Sequence, residues 1–173
     1  MLPGTGRSIV LNFFTPSYRI LGRVFVGSSG MLGVMNDPNT SSIEVSEASM
    51  ARLHEPKKIA DRTQSVRLVK RGIDVIGVGR EFDVGPTSVA RGGYGRLTRY
   101  HVRVVTASFE MEGEMEWAGR FDLSSAVVEG GDFFPLFNAT LRAINVADLF
   151  MKSPALLVNR VRIDFMRTLE EEE

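Results

Sequence analysis

Between Phe109 and Trp117 the chain alternates without a break. Phe109, Met111, Gly113, Met115 and Trp117 are interleaved with Glu110, Glu112, Glu114 and Glu116. A period of two assigns one set to each face of a β-strand, apolar on one side and acidic on the other; on a helix the same residues would scatter around the axis. Tyr18, Ile20, Gly22, Val24 and Val26 alternate in the same way with Arg19, Leu21, Arg23 and Phe25. Runs rich in β-branched and aromatic residues predict further strands over 9–14, 43–53, 66–78, 100–105, 134–144 and 156–166. Two short segments, 30–36 and 123–129, read as a helical turn or a loop, with Asp122 and Ser124 as candidate caps of the second. A further short turn is expected over 145–151, stopped before Pro154.

The pattern occurs twice. At an offset of 91 residues, Thr15, Ser17, Tyr18, Ile20 and Gly22 fall on Thr106, Ser108, Phe109, Met111 and Gly113. Leu32 falls on Leu123. Ile43, Val45, Ala48, Ser49, Met50 and Leu53 fall on Phe134, Leu136, Ala139, Thr140, Leu141 and Ile144. Towards the end the register slips by a residue or two, so that Leu68-Val69-Lys70-Arg71 resembles Leu157-Val158-Asn159-Arg160. Alternation alone would not align Gly22 with Gly113 or Ala48 with Ala139. An internal duplication is therefore expected, with a first repeat over 1–78, a Gly/Arg-rich linker over 79–98 and a second repeat with an acidic tail over 99–173. About four strands in each copy suit a small barrel, which removes exposed edges. The expected fold is mainly β, two tandem small β-barrels; the alternative is a single β-sandwich in which both copies share one core.

The block Phe133-Phe134-Pro135-Leu136-Phe137-Asn138-Ala139 follows a long strand and precedes two more. In this layout each copy resembles Sm-like and SH3-like barrels. It is also similar to uncharacterised bacterial domains in which an aromatic-x-apolar-x-Gly strand is followed by an aromatic-x-x-Leu-x-x-Ala strand. The resemblance implies a small barrel and carries no assigned activity. Asp122-Leu123-Ser124-Ser125-Ala126-Val127 resembles the D/N-x-S-x-x-G signature of cyclic-di-GMP-binding PilZ barrels, but Val127 stands where that family has glycine. Arg99 and Arg103 have the family's R-x-x-x-R spacing without its usual placement directly before the first strand.

Composition narrows the chemistry. Twenty-one basic and 21 acidic residues give a formal net charge of zero, so the whole molecule exerts no long-range pull on nucleic acid or an anionic membrane. The chain has no cysteine, which excludes disulfides, thiolate metal sites and cysteine nucleophiles. No stretch approaches the roughly 20 apolar residues of a membrane span, and no secretory leader is visible, so a cytoplasmic location without membrane attachment is expected. Leu2-Pro3-Gly4-Thr5-Gly6 matches a sortase anchoring motif, but such motifs act ahead of an apolar segment near a C-terminus. His54 and His101 are the only histidines; they are not equivalent between the copies and lie near no nucleophile motif. Neither they nor the glutamate row, whose members lie about 7 Å apart along a strand, form a ligand set of metal spacing. Gly27-Ser28-Ser29-Gly30 and Gly92-Gly93-Tyr94-Gly95 lack the lysine or the helix of a phosphate loop. No cofactor, metal or catalytic residue is expected, and the protein is read as non-enzymatic.

Two surfaces remain. Arg19 and Arg23 correspond to Glu110 and Glu114, so the apolar face is kept while the outer face changes sign. Arg19, Leu21, Arg23 and Phe25 on one copy, with Glu110, Glu112, Glu114 and Glu116 on the other, form a candidate assembly face, joining copies head to tail or meeting within one chain. A homo-oligomer or a protein partner is the expected mode of action. The alternative partner is nucleic acid, through the basic stretch Arg91, Tyr94, Arg96, Arg99, Tyr100 and Arg103, where arginines would hold phosphates and tyrosines stack on bases.

Overall fold

In a computed structural model of the chain, which describes residues 5–87 and 96–169, ten antiparallel strands form one open sheet. The first half contributes β1 (Arg7–Phe14), β2 (Tyr18–Val26), α1 (Gly30–Asn36), β3 (Ser42–Arg52), β4 (Ile59–Val69) and β5 (Val75–Val78). The second contributes β6 (Leu97–Thr106), β7 (Phe109–Ala118), α2 (Leu123–Val128), β8 (Phe133–Ala143), β9 (Phe150–Asn159) and β10 (Ile163–Thr168). The strand order is β10-β6-β7-β8-β9-β5-β1-β2-β3-β4. Within each half the fifth strand lies beside the first, then the second, third and fourth follow. The halves meet where β5 pairs with β9.

Finer details recur at the offset seen in the sequence. The β2–β3 ladder shifts register between Leu21 and Arg23, and the β7–β8 ladder between Glu112 and Glu114. The extra residue of each bulge lies in the third strand, where Glu47 and Asn138 have φ of 49° and 47°, and Gly22 and Gly113 stand opposite on the second. A Cβ on Gly22 would lie 2.4 Å from a Val45 methyl, and one on Gly113 3.0 Å from the Ala139 Cβ. Each glycine is what lets the second strand of its half bend tightly against the third.

The expectation of two closed barrels is corrected: the sheet is open. The fourth and fifth strands do not close each half; β5 and β9 pair with one another instead. Val75-Ile76-Gly77-Val78 and Ala155-Leu156-Leu157-Val158 are apolar on both faces, and such runs are satisfied only where both faces are covered. At the seam they are. Ile76, Ala155 and Leu157 belong to one apolar cluster, with Leu11, Phe13, Ile20 and Val24. Val75, Leu156 and Val158 belong to another, with Val104, Phe109, Met111 and Trp117. The alternative of one shared core does not describe this either. There are two clusters, each completed from the opposite half: Phe133 and Phe137 enter the first, Phe14 and Leu53 the second.

Segment 66–78, predicted as one strand, is the end of β4, a 3-10 turn at Lys70–Gly72, and β5; 156–166 divides in the same way around Arg160–Arg162. Among the described residues each half thus has five strands rather than four. The polar beginning of β4 escapes the periodicity because an edge strand exposes both faces. Phe150–Asn159 begins inside the segment read as a turn. The span predicted as a linker is structured near both ends, with a 3-10 turn at Glu81–Val84 and the start of β6 at Leu97. Arg91, Tyr94, most of the Leu2–Gly6 motif and the acidic tail lie outside the described residues.

Polar groups lock the seam. The Asn36 amide donates to the Phe133 carbonyl (2.9 Å) and accepts from the Phe133 N–H (2.8 Å). The Asn159 amide donates to the Ile73 carbonyl at 2.9 Å. The buried Lys70 ammonium donates to the carbonyls of Val34 and Asp37 and to the Thr40 hydroxyl, tying down the end of α1. Burial lowers its pKa, against the pull of Asp37 and Asp132.

Candidate functional site

Strand β2 turns Ile20, Gly22, Val24 and Val26 inward, so Arg19, Leu21, Arg23 and Phe25 share its outer face. Register with β1 sets Phe14 beside Arg19, Asn12 beside Leu21, Val10 beside Arg23 and Ser8 beside Phe25. Phe25 is 70% exposed, Val10 47% and Leu21 42%. The Arg19 guanidinium donates to the Asn12 side chain at 3.2 Å and, among the described residues, pairs with no carboxylate. Arg23 pairs with Glu47 at 3.1 Å, both exposed. This face is apolar and basic. Sequence comparison of the two alternating strands missed Val10 and Asn12, whose part in it follows from the hairpin closed at Thr15–Tyr18, where Thr15 N–H donates to the Tyr18 carbonyl.

The acidic row of β7 is differently placed. Arg103 of β6 approaches Glu110 at 2.9 Å and Glu112 at 3.8 Å. Arg99 bonds Glu81 and lies 3.6 Å from Glu114 and 3.7 Å from Glu116. Its guanidinium also sits 4.3 Å above the centre of the Phe137 ring. Thr87 donates to Glu116 at 2.8 Å and Asn138 to Glu114 at 3.1 Å. Five carboxylates therefore share two guanidiniums. The β2 and β7 rows do not meet within the chain: β1, β5, β9 and β8 separate the two strands. Charge also divides by half, with eleven basic and eight acidic residues over 1–87 against nine and thirteen over 96–173.

Of the residues singled out for nucleic acid, the described ones, Arg96, Arg99, Tyr100 and Arg103, do not form one basic and aromatic surface. Arg99 and Arg103 are engaged by glutamates. Tyr100 points to the opposite face of the same strand, stacks on Phe121 at 5.0 Å and donates its hydroxyl to the Gly119 carbonyl. Alternation along β6 makes arginine–tyrosine cooperation on one face impossible there. Arg96 is exposed just before the strand. Asp122, the first residue of the PilZ-like segment, caps α2: it accepts from the Ser124 N–H at 3.1 Å and the Ser125 hydroxyl at 2.8 Å. The Ser125 bond foremost holds its pKa below the usual carboxylate range. Val127 packs against the second core.

Among the described residues, no group of three or more His, Asp or Glu is able to hold a metal, and no helix is long and apolar enough to cross a membrane. No family model, curated protein or solved structure matches the chain.

Proposed function

We propose that this is a non-enzymatic protein that works by associating with a second copy of itself, through the outer face of β1 and β2. The observation that carries this reading is the contrast between the two outer faces. One exposes Val10, Leu21 and Phe25 beside an Arg19 that, among the described residues, pairs with no carboxylate; the other gathers five carboxylates around two guanidiniums. Three neighbouring exposed apolar side chains favour a covered state. The residual negative charge of the β7 face offers the complement that sets register and partner choice. The contact joins different patches, and so is heterologous, closing a ring or extending a filament.

We also read the two halves as products of an internal duplication forming two incompletely closed barrels. The repeated strand order, bulge and positive-φ residue support it. On this view the outer faces diverged while the inner faces stayed apolar.

Light scattering on a size-exclusion column at low and high salt tests the association. An oligomer that loosens with salt and is lost in the double variant Arg19→Glu, Arg23→Glu is expected. A salt-insensitive monomer, or an oligomer unaffected by the double variant, would overturn the proposal.

A further inference from the structure

One end of the seam opens into a groove of about 400 Å³ that the assembly face does not use. Four turns converge there: those after β1 and β3 from the first half, and those after β6 and β8 from the second. They are joined in pairs by equivalent bonds, Leu53 N–H to the Ser17 carbonyl (2.8 Å) and Ile144 N–H to the Ser108 carbonyl (2.9 Å). The floor is apolar, because Leu53 and Ala143 are buried members of the second core. The rim is polar and carries Tyr18, Arg52, His54 and Asn145.

The charge of this rim is one-sided. Among the described residues no carboxylate lines the groove; Glu55, which follows His54 in the chain, is not one of its lining residues. The side chains of Tyr18, Arg52, His54 and Asn145 make no hydrogen bond or ion pair among the described residues, whereas Arg7, Arg23, Arg99 and Arg103 of the sheet pair with carboxylates. The halves also supply different groups at equivalent positions: Arg52 and His54 in the first stand where the second has Ala143 and Asn145. A guanidinium with unspent donors, beside hydroxyl and amide groups and above an apolar floor, matches a carboxylate or phosphate carried on an apolar body.

We propose that this seam groove binds a small organic anion, its charged group held by Arg52 and its apolar body against Leu53 and Val146. Because the lining comes from both halves, the site exists only when the seam is closed.

The test is a titration of the full chain followed by amide ¹H–¹⁵N spectra, with phenyl phosphate and benzoate as anionic probes and benzyl alcohol as the neutral one. Saturable shifts centred on Ser17, Leu53, His54 and Asn145 are expected with either anion, at least about tenfold weaker with benzyl alcohol. Arg52→Ala, at an exposed position, should weaken anion binding about tenfold or more while leaving the rest of the spectrum in place. Shifts scattered over the surface, equal affinity for the alcohol, or full binding by Arg52→Ala would each overturn the proposal. A preference between phenyl phosphate and benzoate, with the shifts still centred on the groove, supports it and identifies which anion is accommodated.

Discussion

Leu157 of β9 pairs directly with Ile76 of β5, and the two side chains lie together in the core of the first half although Leu157 belongs to the second. The seam is therefore part of both cores rather than an interface between finished domains.

Leu157→Ala should cost about 2–5 kcal/mol, the usual range for a fully buried leucine whose site collapses only partly. The single tryptophan, Trp117, reports the other core. Urea unfolding followed by Trp117 fluorescence and by circular dichroism should shift together. If the fluorescence transition stays where it was while the dichroism moves, the halves unfold separately and the coupling is wrong.

Asn36 bridges the halves with one donor and one acceptor on the backbone of Phe133. Asn36→Ala leaves both partly buried backbone groups without that partner, so a loss of about 1–3 kcal/mol is expected. Amide exchange at Phe133 should accelerate in the variant. Unchanged protection there would show that the clasp contributes nothing.

Asp74 is buried at the seam, facing Arg162 at 3.4 Å and the Thr106 hydroxyl at 3.5 Å, with Asp164 nearby. Burial pushes its carboxyl above the ordinary aspartate range; Arg162 and Thr106 pull it down, and Asp164 adds to the rise. A folded-state pKa above the unfolded value means the folded chain holds the proton more tightly. The contribution of this group to stability therefore grows as pH falls through the folded pKa, is complete below the unfolded value, and is lost as pH rises again. Asp74→Asn should remove this component and flatten the stability profile in the window above the ordinary aspartate pKa. Denaturation midpoints across that window would decide it, and a profile identical to that of the parent chain would count against it.

Glu47 holds a left-handed backbone at φ 49° in the β3 bulge. Glu47→Gly removes a conformational cost of roughly 1–2 kcal/mol and loses an exposed pair with Arg23 worth about 0–1 kcal/mol, while glycine adds unfolded-state entropy. A small net change, within about 1 kcal/mol of zero, is expected, in contrast to Gly22→Val on the strand opposite the bulge, where a Cβ already meets Val45. Thermal melts of the two variants should separate clearly. Similar melting temperatures would mean that the bulge tolerates side chains.

Alternation made most strands legible, because an inward apolar row and an outward polar row leave a mark of period two. Strand β7 is the clearest case: Phe109, Met111, Met115 and Trp117 are all buried. The 91-residue offset likewise marked out in advance Gly22 and Gly113, which stand opposite equivalent bulges. The candidate face was legible only in part. Arg19, Leu21, Arg23 and Phe25 do share an outer face, but the glutamates opposite them in the sequence comparison are engaged by Arg99 and Arg103. A one-strand pattern carries no information about which strand lies alongside.

The sequence by itself determined the β character, the inward faces and the two-fold pattern, since these depend on side chains a few residues apart. Only the tertiary structure decided that β5 would join β9, that each half would complete the other's core, and that four turns would meet around Arg52 and His54. Those outcomes depend on which distant surfaces cover one another. Two short runs apolar on both faces, Val75–Val78 and the 155–158 stretch of β9, could have been buried by closing each barrel or by pairing together, and local pattern is the same in both cases.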